Sequence, residues 1–292
     1  MKDYMKSYQM VLKTAAPLFI GDGKSLNKKE YFYLRNEKKV LVPDSGKLYE
    51  GVWRKRLSRQ FTDYLLDKNA REGLEQWMRN NGFRTADYAK WIRYELDGGD
   101  HLGEGKRPYE IATFIKDGYG VPYVPGTSIK GMIRNVLLSY ELIKHPDICK
   151  RIRENLVRNN FEGDRNRKKY MRREAEDIEN MILHTLHRKD KHGKEIPIKN
   201  GVNDILSGLI VGDSGTIEWK DMMLCQKMDR SPNGLFNNNL NVLREAVKPG
   251  VSISFQLTID TTICMYTIED IMEAVKLFGE RYYEFHLQYF SE

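Results

Sequence analysis

Cysteine is scarce in this 292-residue chain: there are three, Cys149, Cys225 and Cys264, odd in number and far apart. No Cys-x-x-Cys pair exists, so neither a zinc knuckle nor a disulfide framework is supported. Cys264 lies in a strand-like run and is expected to be buried. Long apolar runs are missing too. No stretch approaches the roughly 20 apolar residues of a membrane span. The opening Met-Lys-Asp-Tyr-Met-Lys lacks the apolar core of a signal peptide. The expectation is a soluble, cytoplasmic protein with no membrane partner. No internal repeat is visible.

Acidic residues are in deficit. Forty-one Asp and Glu face 48 Lys and Arg, a net charge of +7. An excess of this size favours polyanions through phosphate contacts and counterion release. The charge is also clustered. Residues 165–173 (Arg-Asn-Arg-Lys-Lys-Tyr-Met-Arg-Arg) hold basic residues and no acid. Trp53-Arg54-Lys55-Arg56-Leu57-Ser58-Arg59 falls on a predicted helix, and Lys24, Lys28 and Lys29 follow the glycines Gly21 and Gly23. Each run alone reads as a solvated face. Together, with Tyr170 and Trp53 interleaved, they point to nucleic acid, because rings beside cations stack bases or pack on guanidinium groups.

Chemistry of its own has little to stand on. The histidines are His101, His145, His184, His187, His192 and His286. No catalytic residue is assigned. His101, in the glycine-rich stretch 97–108, is the one candidate for a metal-independent ribonuclease; its plainer reading is a solvent-exposed loop histidine. His184 and His187 are one helical turn apart, but no third ligand stands nearby at readable spacing. The acidic pairs Asp97 and Asp100, or Glu176 and Glu179, lack one as well. No metal and no cofactor are expected.

The most informative stretch is residues 121–134, Val-Pro-Tyr-Val-Pro-Gly-Thr-Ser-Ile-Lys-Gly-Met-Ile-Arg. A strand-like piece runs into Pro125-Gly126. A helix follows on the stripe Ile129, Met132, Ile133, Val136, Leu137 and Tyr140. Thr127 or Ser128 is the expected N-cap. Gly126 permits a sharp turn and a close ligand. A helix N-terminus suits a phosphate, and Lys130 and Arg134, four apart, extend that positive field on one face.

Elsewhere, residues 7–20 read as a first strand and its continuation, broken by Gly21-Asp22-Gly23. Residues 30–34 and 39–42 read as short strands, 43–46 as a turn and 47–67 as a helix. Residues 70–96 read as further helix, with Leu74, Trp77 and Met78 in one stripe and Tyr88, Trp91 and Ile92 in another. A strand is expected at 111–116 and a densely charged region at 145–204, helical near 174–187 and polar and mobile at 189–201. Residues 206–214 read as a strand ending Gly-Asp-Ser, with 216–225 as its pairing partner. The clearest strand is 251–260, with Val251, Ile253, Phe255, Leu257 and Ile259 on one face. A helix closes the chain at 268–286. Strands and helices mix without regular alternation, and the period of two argues for antiparallel pairing. The fold class is α+β, with sheets covered by helices on one face.

Pro125-Gly-Thr-Ser-Ile-Lys-Gly-Met-Ile-Arg134 resembles the signature of the RAMP superfamily, the repeat-associated RNA-binding proteins of CRISPR systems. Three further stretches resemble that family. They are Leu18-Phe-Ile-Gly-Asp-Gly23 with Leu26, Asn27, Glu30 and Tyr31; Leu209-Ile-Val-Gly-Asp-Ser214; and Arg244-Glu-Ala-Val-Lys-Pro-Gly250 before the 251–259 strand. The spacing in the first is similar to the subunits that sit at the crRNA 3′ end of type III-A (Csm) effector complexes. The resemblance implies a ferredoxin-like, RRM-like fold, taken here as two units. Residues 1–144 would form the first, with a helical insertion at about 47–96; residues 145–292 would form a charged helical segment and the second. It implies an RNA-binding subunit that caps the crRNA 3′ end, contacts the backbone repeat subunit and other Csm subunits, and takes part in trimming through host nucleases. Gly21, Gly23, Lys24, Lys28, Lys29, Gly126, Ser128, Lys130 and Arg134 would track the single-stranded crRNA backbone, flanked by Arg54 and Arg56. The catalytic Asp of related filament subunits lies in a different loop, so no such role passes to Asp213. Many RAMPs carry a glycine-rich segment after the last helix; residues 286–292 do not show one, so the resemblance carries over no residue for the RNA contacts credited to it. Two rival readings stay open: a repeat-RNA ribonuclease using His101, and a scaffold whose basic runs dock acidic proteins or recruit a nuclease.

Overall fold

A computed structural model describes residues 4–98, 110–158, 172–230 and 237–290. Its elements follow from local pattern. Strand β10 (Ser252–Asp260) buries Ile253, Phe255, Leu257 and Ile259 and turns Ser252, Ser254 and Gln256 outward, the period of two written in the sequence. Helix α5 (Gly126–Lys144) buries Ile129, Ile133, Val136, Leu137 and Tyr140 at helical spacing, while Met132 of the predicted stripe is exposed. Each such aliphatic burial contributes about 1.5–3 kcal/mol, so packing rather than propensity holds α5. Helix α8 (Ile268–Phe285) starts at a capping box, in which Thr267 and Asp270 satisfy each other's backbone N–H.

The chain forms two compact units, each assembled from separated stretches: residues 1–10, 125–214 and 254–292 in the first, 11–124 and 215–253 in the second. The first unit holds most of a three-stranded sheet in the order β1 (Met5–Lys13), β10, β7 (Leu209–Val211). β10 and β7 are antiparallel, Leu257 facing Val211 and Ile259 facing Leu209. Along β1, Thr261 N–H donates to the Tyr4 carbonyl at 2.9 Å, and the hydroxyls of Ser7 and Thr258 meet at 2.8 Å. Helix α5 packs against β7, α8, α6 (Pro146–Arg158) and α7 (Arg172–Leu183). Tyr140 Oη bonds Glu273 of α8 at 2.8 Å.

The second unit holds a seven-stranded sheet in the order β2 (Gly21–Leu26), β6 (Glu110–Phe114), β9 (Asn237–Val247), β8 (Met222–Arg230), β5 (Ile92–Asp97), β4 (Lys39–Pro43), β3 (Phe32–Leu34). The sheet is mixed: β6 with β9 and β5 with β8 are parallel, and the other pairings are antiparallel. Helices α1 (Ser45–Arg54), α2 (Ser58–Leu66), α3 (Leu74–Asn80) and α4 (Thr85–Tyr88) close an aromatic core. In it Phe32 stacks on Tyr88 at 4.3 Å between centroids, and Phe61 and Trp77 meet at 5.0 Å.

Several expectations need correction. The helix read over 70–96 ends at Tyr88, and β5 follows. Its inward residues Tyr94 and Leu96 alternate with exposed Arg93, Glu95 and Asp97. The helix read over 47–67 is two helices, parted at Lys55–Leu57 where Arg56 takes φ 62°. Gly21-Asp22-Gly23 does not end a strand but opens β2, with an irregular register between Gly21 and Ser25 and Gly23 at φ 79°. Residues 121–124 form no strand beyond a bridge of Lys116 with Pro122. The segment 216–225 does not pair with 206–214; β7 pairs with β10, and β8 joins the larger sheet. Residues 189–201 are pinned, not loose. Asp190 accepts from the N–H groups of His192 and Lys194, and buried Asn203 donates to the carbonyls of Ile196 and Pro197.

Candidate nucleic-acid interface

The signature builds a joint between strand and helix in the first unit. Pro125 is the N-cap of α5, with no side-chain cap; Thr127 and Ser128 are exposed and do not cap it. The first N–H of the helix, on Gly126, donates instead to Asp213 Oδ1 at 2.7 Å. A carboxylate of the same chain therefore sits where the sequence suggests a phosphate, for the same dipolar reason. Gly126 is sterically required. A Cβ there would lie 2.3 Å from the Val211 carbonyl oxygen.

The two signature cations are committed as well. Lys130 Nζ donates to the Leu209 carbonyl at 2.7 Å. Burial pushes its pKa down, opposed by the Asp204 charge. Arg134 donates through Nη1 to Asp204 at 2.8 Å and pairs through Nε with Glu179 of α7 at 2.7 Å. Asp204 also accepts the Leu206 N–H at 2.8 Å, so one carboxylate fixes both Arg134 and the turn before β7. Thr127, Ser128, Gly131 and Met132 form the exposed part of the motif.

The glycine–lysine set lies in the second unit and sorts the same way. Lys28 Nζ donates to the Ala70 carbonyl. Lys29 Nζ reaches the Tyr64 and Asp67 carbonyls at 2.6 Å each, closing the C-terminal end of α2 as a cation at a helix terminus does. Arg54 pairs with Glu50 one turn earlier at 2.5 Å. Lys24 and Arg56 are exposed, as are Gly21 and Gly23. Asp22 accepts the Lys24 N–H at 2.9 Å and the Thr113 hydroxyl at 2.5 Å. Burial would raise its pKa, but these two bonds, with the charges of Lys116 and Lys24, hold it below the ordinary carboxylate range.

Residues to which the sequence reading gave no site role anchor this unit. Glu245 of β9 is fully buried and accepts from Tyr94 Oη at 2.6 Å, the Phe114 N–H at 2.8 Å and Lys116 Nζ at 2.5 Å. Tyr94 stacks flat on Trp219, centroids 3.7 Å apart, with Lys116 near both rings. Burial, then Glu245, pushes the Tyr94 phenol far up. Arg93 donates to the Tyr119 carbonyl at 2.8 Å. The Glu245 and Lys116 partners are 129 residues apart in sequence, so no spacing rule reveals them. The one available signal was a lone carboxylate among inward positions of a strand.

Other candidates fall elsewhere. His101 and residues 165–171 of the basic run lie outside the described residues. His184 is buried, its Nδ1 2.8 Å from the Ile198 carbonyl, while His187 is exposed. Among the described residues no group of three or more His, Cys, Asp or Glu is placed to hold a metal ion, and no helix is long and apolar enough to cross a membrane. Cys264 is buried, Cys149 exposed and Cys225 half-buried.

The RAMP superfamily profile matches residues 11–289. Curated relatives named "CRISPR system Cms protein Csm5" include one from Mycobacterium tuberculosis (strain CDC 1551 / Oshkosh), 29% identical over 278 residues, covering 90% of this chain and 68% of the relative. Another, from Streptococcus thermophilus, is 28% identical over 297 residues, covering 100% of this chain and 75% of the relative. The crystal structure of T. onnurineus Csm5 superposes with a TM-score of 0.62 at 21% identity, over 93% of this chain and 70% of that one. A chain of a cryo-EM Csm–crRNA–target RNA ternary complex from a type III-A CRISPR-Cas system superposes at 0.58 and 22% identity, over 93% of this chain and 66% of that one. At these identities the structural likeness speaks to the fold.

Proposed function

The chain belongs to the RAMP superfamily, and from that membership we propose that it is an RNA-binding subunit of a type III-A CRISPR effector complex. The observation that carries this reading is the family match across nearly the whole chain, with Csm5 proteins among the curated relatives. In this reading the subunit caps the crRNA 3′ end, abuts the repeated backbone subunit and works in the cytoplasm. It performs no cleavage; host nucleases that it helps recruit trim the crRNA.

The geometry favours a division of labour among the candidate residues. Lys24, Arg56 and Ser128, with the open backbone at Gly21 and Gly23, face solvent and are the proposed RNA contacts. Lys28, Lys29, Arg54, Lys130, Arg134 and Gly126 hold the surfaces that carry them. Recognition through exposed cations is a backbone contact, weakly dependent on base sequence and steeply dependent on salt. The test is reconstitution with crRNA and the other subunits, using crRNA that carries a photoreactive nucleotide at either end. Crosslinks from the 3′ end to this chain are expected. Crosslinks from the 5′ end alone would contradict the capping position, and crRNA shortened by the purified chain would contradict the non-catalytic role.

A further inference from the structure

The second unit contains a cleft of about 560 Å³, a size typical of small-ligand sites. Strand β2, the start of α1, helix α2 and strands β5 and β6 all contribute to its walls. Its lining combines two chemistries. Lys24, Lys29, Arg93 and Lys116 face two carboxylates, Asp22 and Glu30, so positive charge is in excess. The lining also carries apolar side chains and three aromatic ones, of which Phe61 and Tyr94 are buried and Tyr49 is 47% exposed. A simple anion site would not need the rings, and a purely apolar ligand would not need the cations. A nucleotide needs both.

Three of the cations are held in place before any ligand arrives. Lys29 is tied to the end of α2, Lys116 to Glu245 and Arg93 to the Tyr119 carbonyl. A fixed charge loses little side-chain freedom on binding. Lys24, exposed beside Asp22, is the lining cation left to move onto a phosphate.

We propose that this cleft receives one unstacked nucleotide of the bound RNA strand, with Lys24 on its phosphate and the base against Tyr49. The inference rests on the RNA-binding reading and goes beyond it by naming a pocket. It follows that RNA affinity depends on the cleft being open, not only on surface charge.

The experiment measures binding of labelled single-stranded RNA to the full chain by fluorescence anisotropy. Ser45→Trp and Leu65→Trp fill the cleft from two sides; both positions are exposed, and a thermal melt checks that each variant folds. Lys24→Glu reverses its exposed cation. Lys276→Glu, an exposed change of equal charge on α8, is the control. A filled cleft is expected to weaken RNA binding about tenfold or more, as loss of a stacked base does, and Lys24→Glu to weaken it more than Lys276→Glu. Wild-type affinity in both folded tryptophan variants, or equal effects of the two charge reversals, would overturn the cleft while leaving RNA binding intact. Absence of binding by the wild-type chain would remove the RNA reading and this inference with it.

Discussion

Gly126 and Gly131 stand five residues apart in one motif and answer to different constraints. A methyl group at Gly126 would press into the carbonyl of Val211, whereas nothing lies within 4 Å of the Cβ position at Gly131. Gly126→Ala is expected to cost about 1–3 kcal/mol through overpacking. Gly131→Ala, in the interior of α5, is expected to gain about 0.5–1 kcal/mol. Urea melts of the two variants should shift in opposite directions. Asp44 offers a pH test. It caps α1, accepting the Lys47 N–H at 3.0 Å, and that bond leads the causes that lower its pKa. A lowered pKa means stability that is present above the unfolded value, about 3.9, and lost as pH falls through the folded one. Asp44→Ala should therefore cost about 1 kcal/mol at neutral pH. The gap between wild type and variant should close as the pH falls through the lowered pKa of the folded state. A gap that persists in acid would mean the side chain acts by some route other than its charge.

At the scale of elements, α5 and β7 form a clasp that charge patterning alone misreads. Lys130 and Arg134 share a helix face as their spacing predicts, yet their partners Leu209 and Asp204 lie 79 and 70 residues away. Arg134→Ala would leave Asp204 half of its network short. A loss of about 1.5–3 kcal/mol in urea denaturation is expected, the range for hydrogen bonds to charged groups. An RNA-binding defect in that variant would therefore report on folding first. Lys24 and Lys29 differ in what they hold: Lys29 is tied to the end of α2, whereas Lys24 is exposed. Lys29→Met should lower stability by about 0.5–1 kcal/mol by uncapping α2, and Lys24→Ala should leave stability unchanged while weakening RNA binding. The strands and helices with a single clear period, β10, α5 and α8, were legible in the sequence. Strand β5 was not. Trp91 and Ile92 continue the stripe of Tyr88 at helical spacing, and the alternation of Ile92, Tyr94 and Leu96 competes with it over the same residues. Strand β9 was hidden by its asparagines and by Glu245, a charge at an inward position whose partners come from β5, β6 and the turn after it.

At the scale of the whole molecule, chain order and spatial order part company. The first and last strands share one sheet in the first unit, while β8 and β9, late in the chain, complete the sheet begun by β2 to β6. No linear reading of composition shows that, because register across more than 200 residues leaves no local trace. What the sequence does carry at this scale is charge: a net +7 with its local clusters. That charge is also the most direct handle on the central claim, that this chain binds RNA through solvent-facing cations without cutting it. The measurement is the affinity of the purified chain for 5′-labelled single-stranded RNA of crRNA length at about 50 and 200 mM salt, with the same samples run on a denaturing gel. The account predicts intact RNA, affinity that falls steeply between the two salts, and a salt slope shallower by about 1 in Lys24→Ala. Discrete cleavage products, or binding that salt and Lys24→Ala leave unchanged, would contradict it.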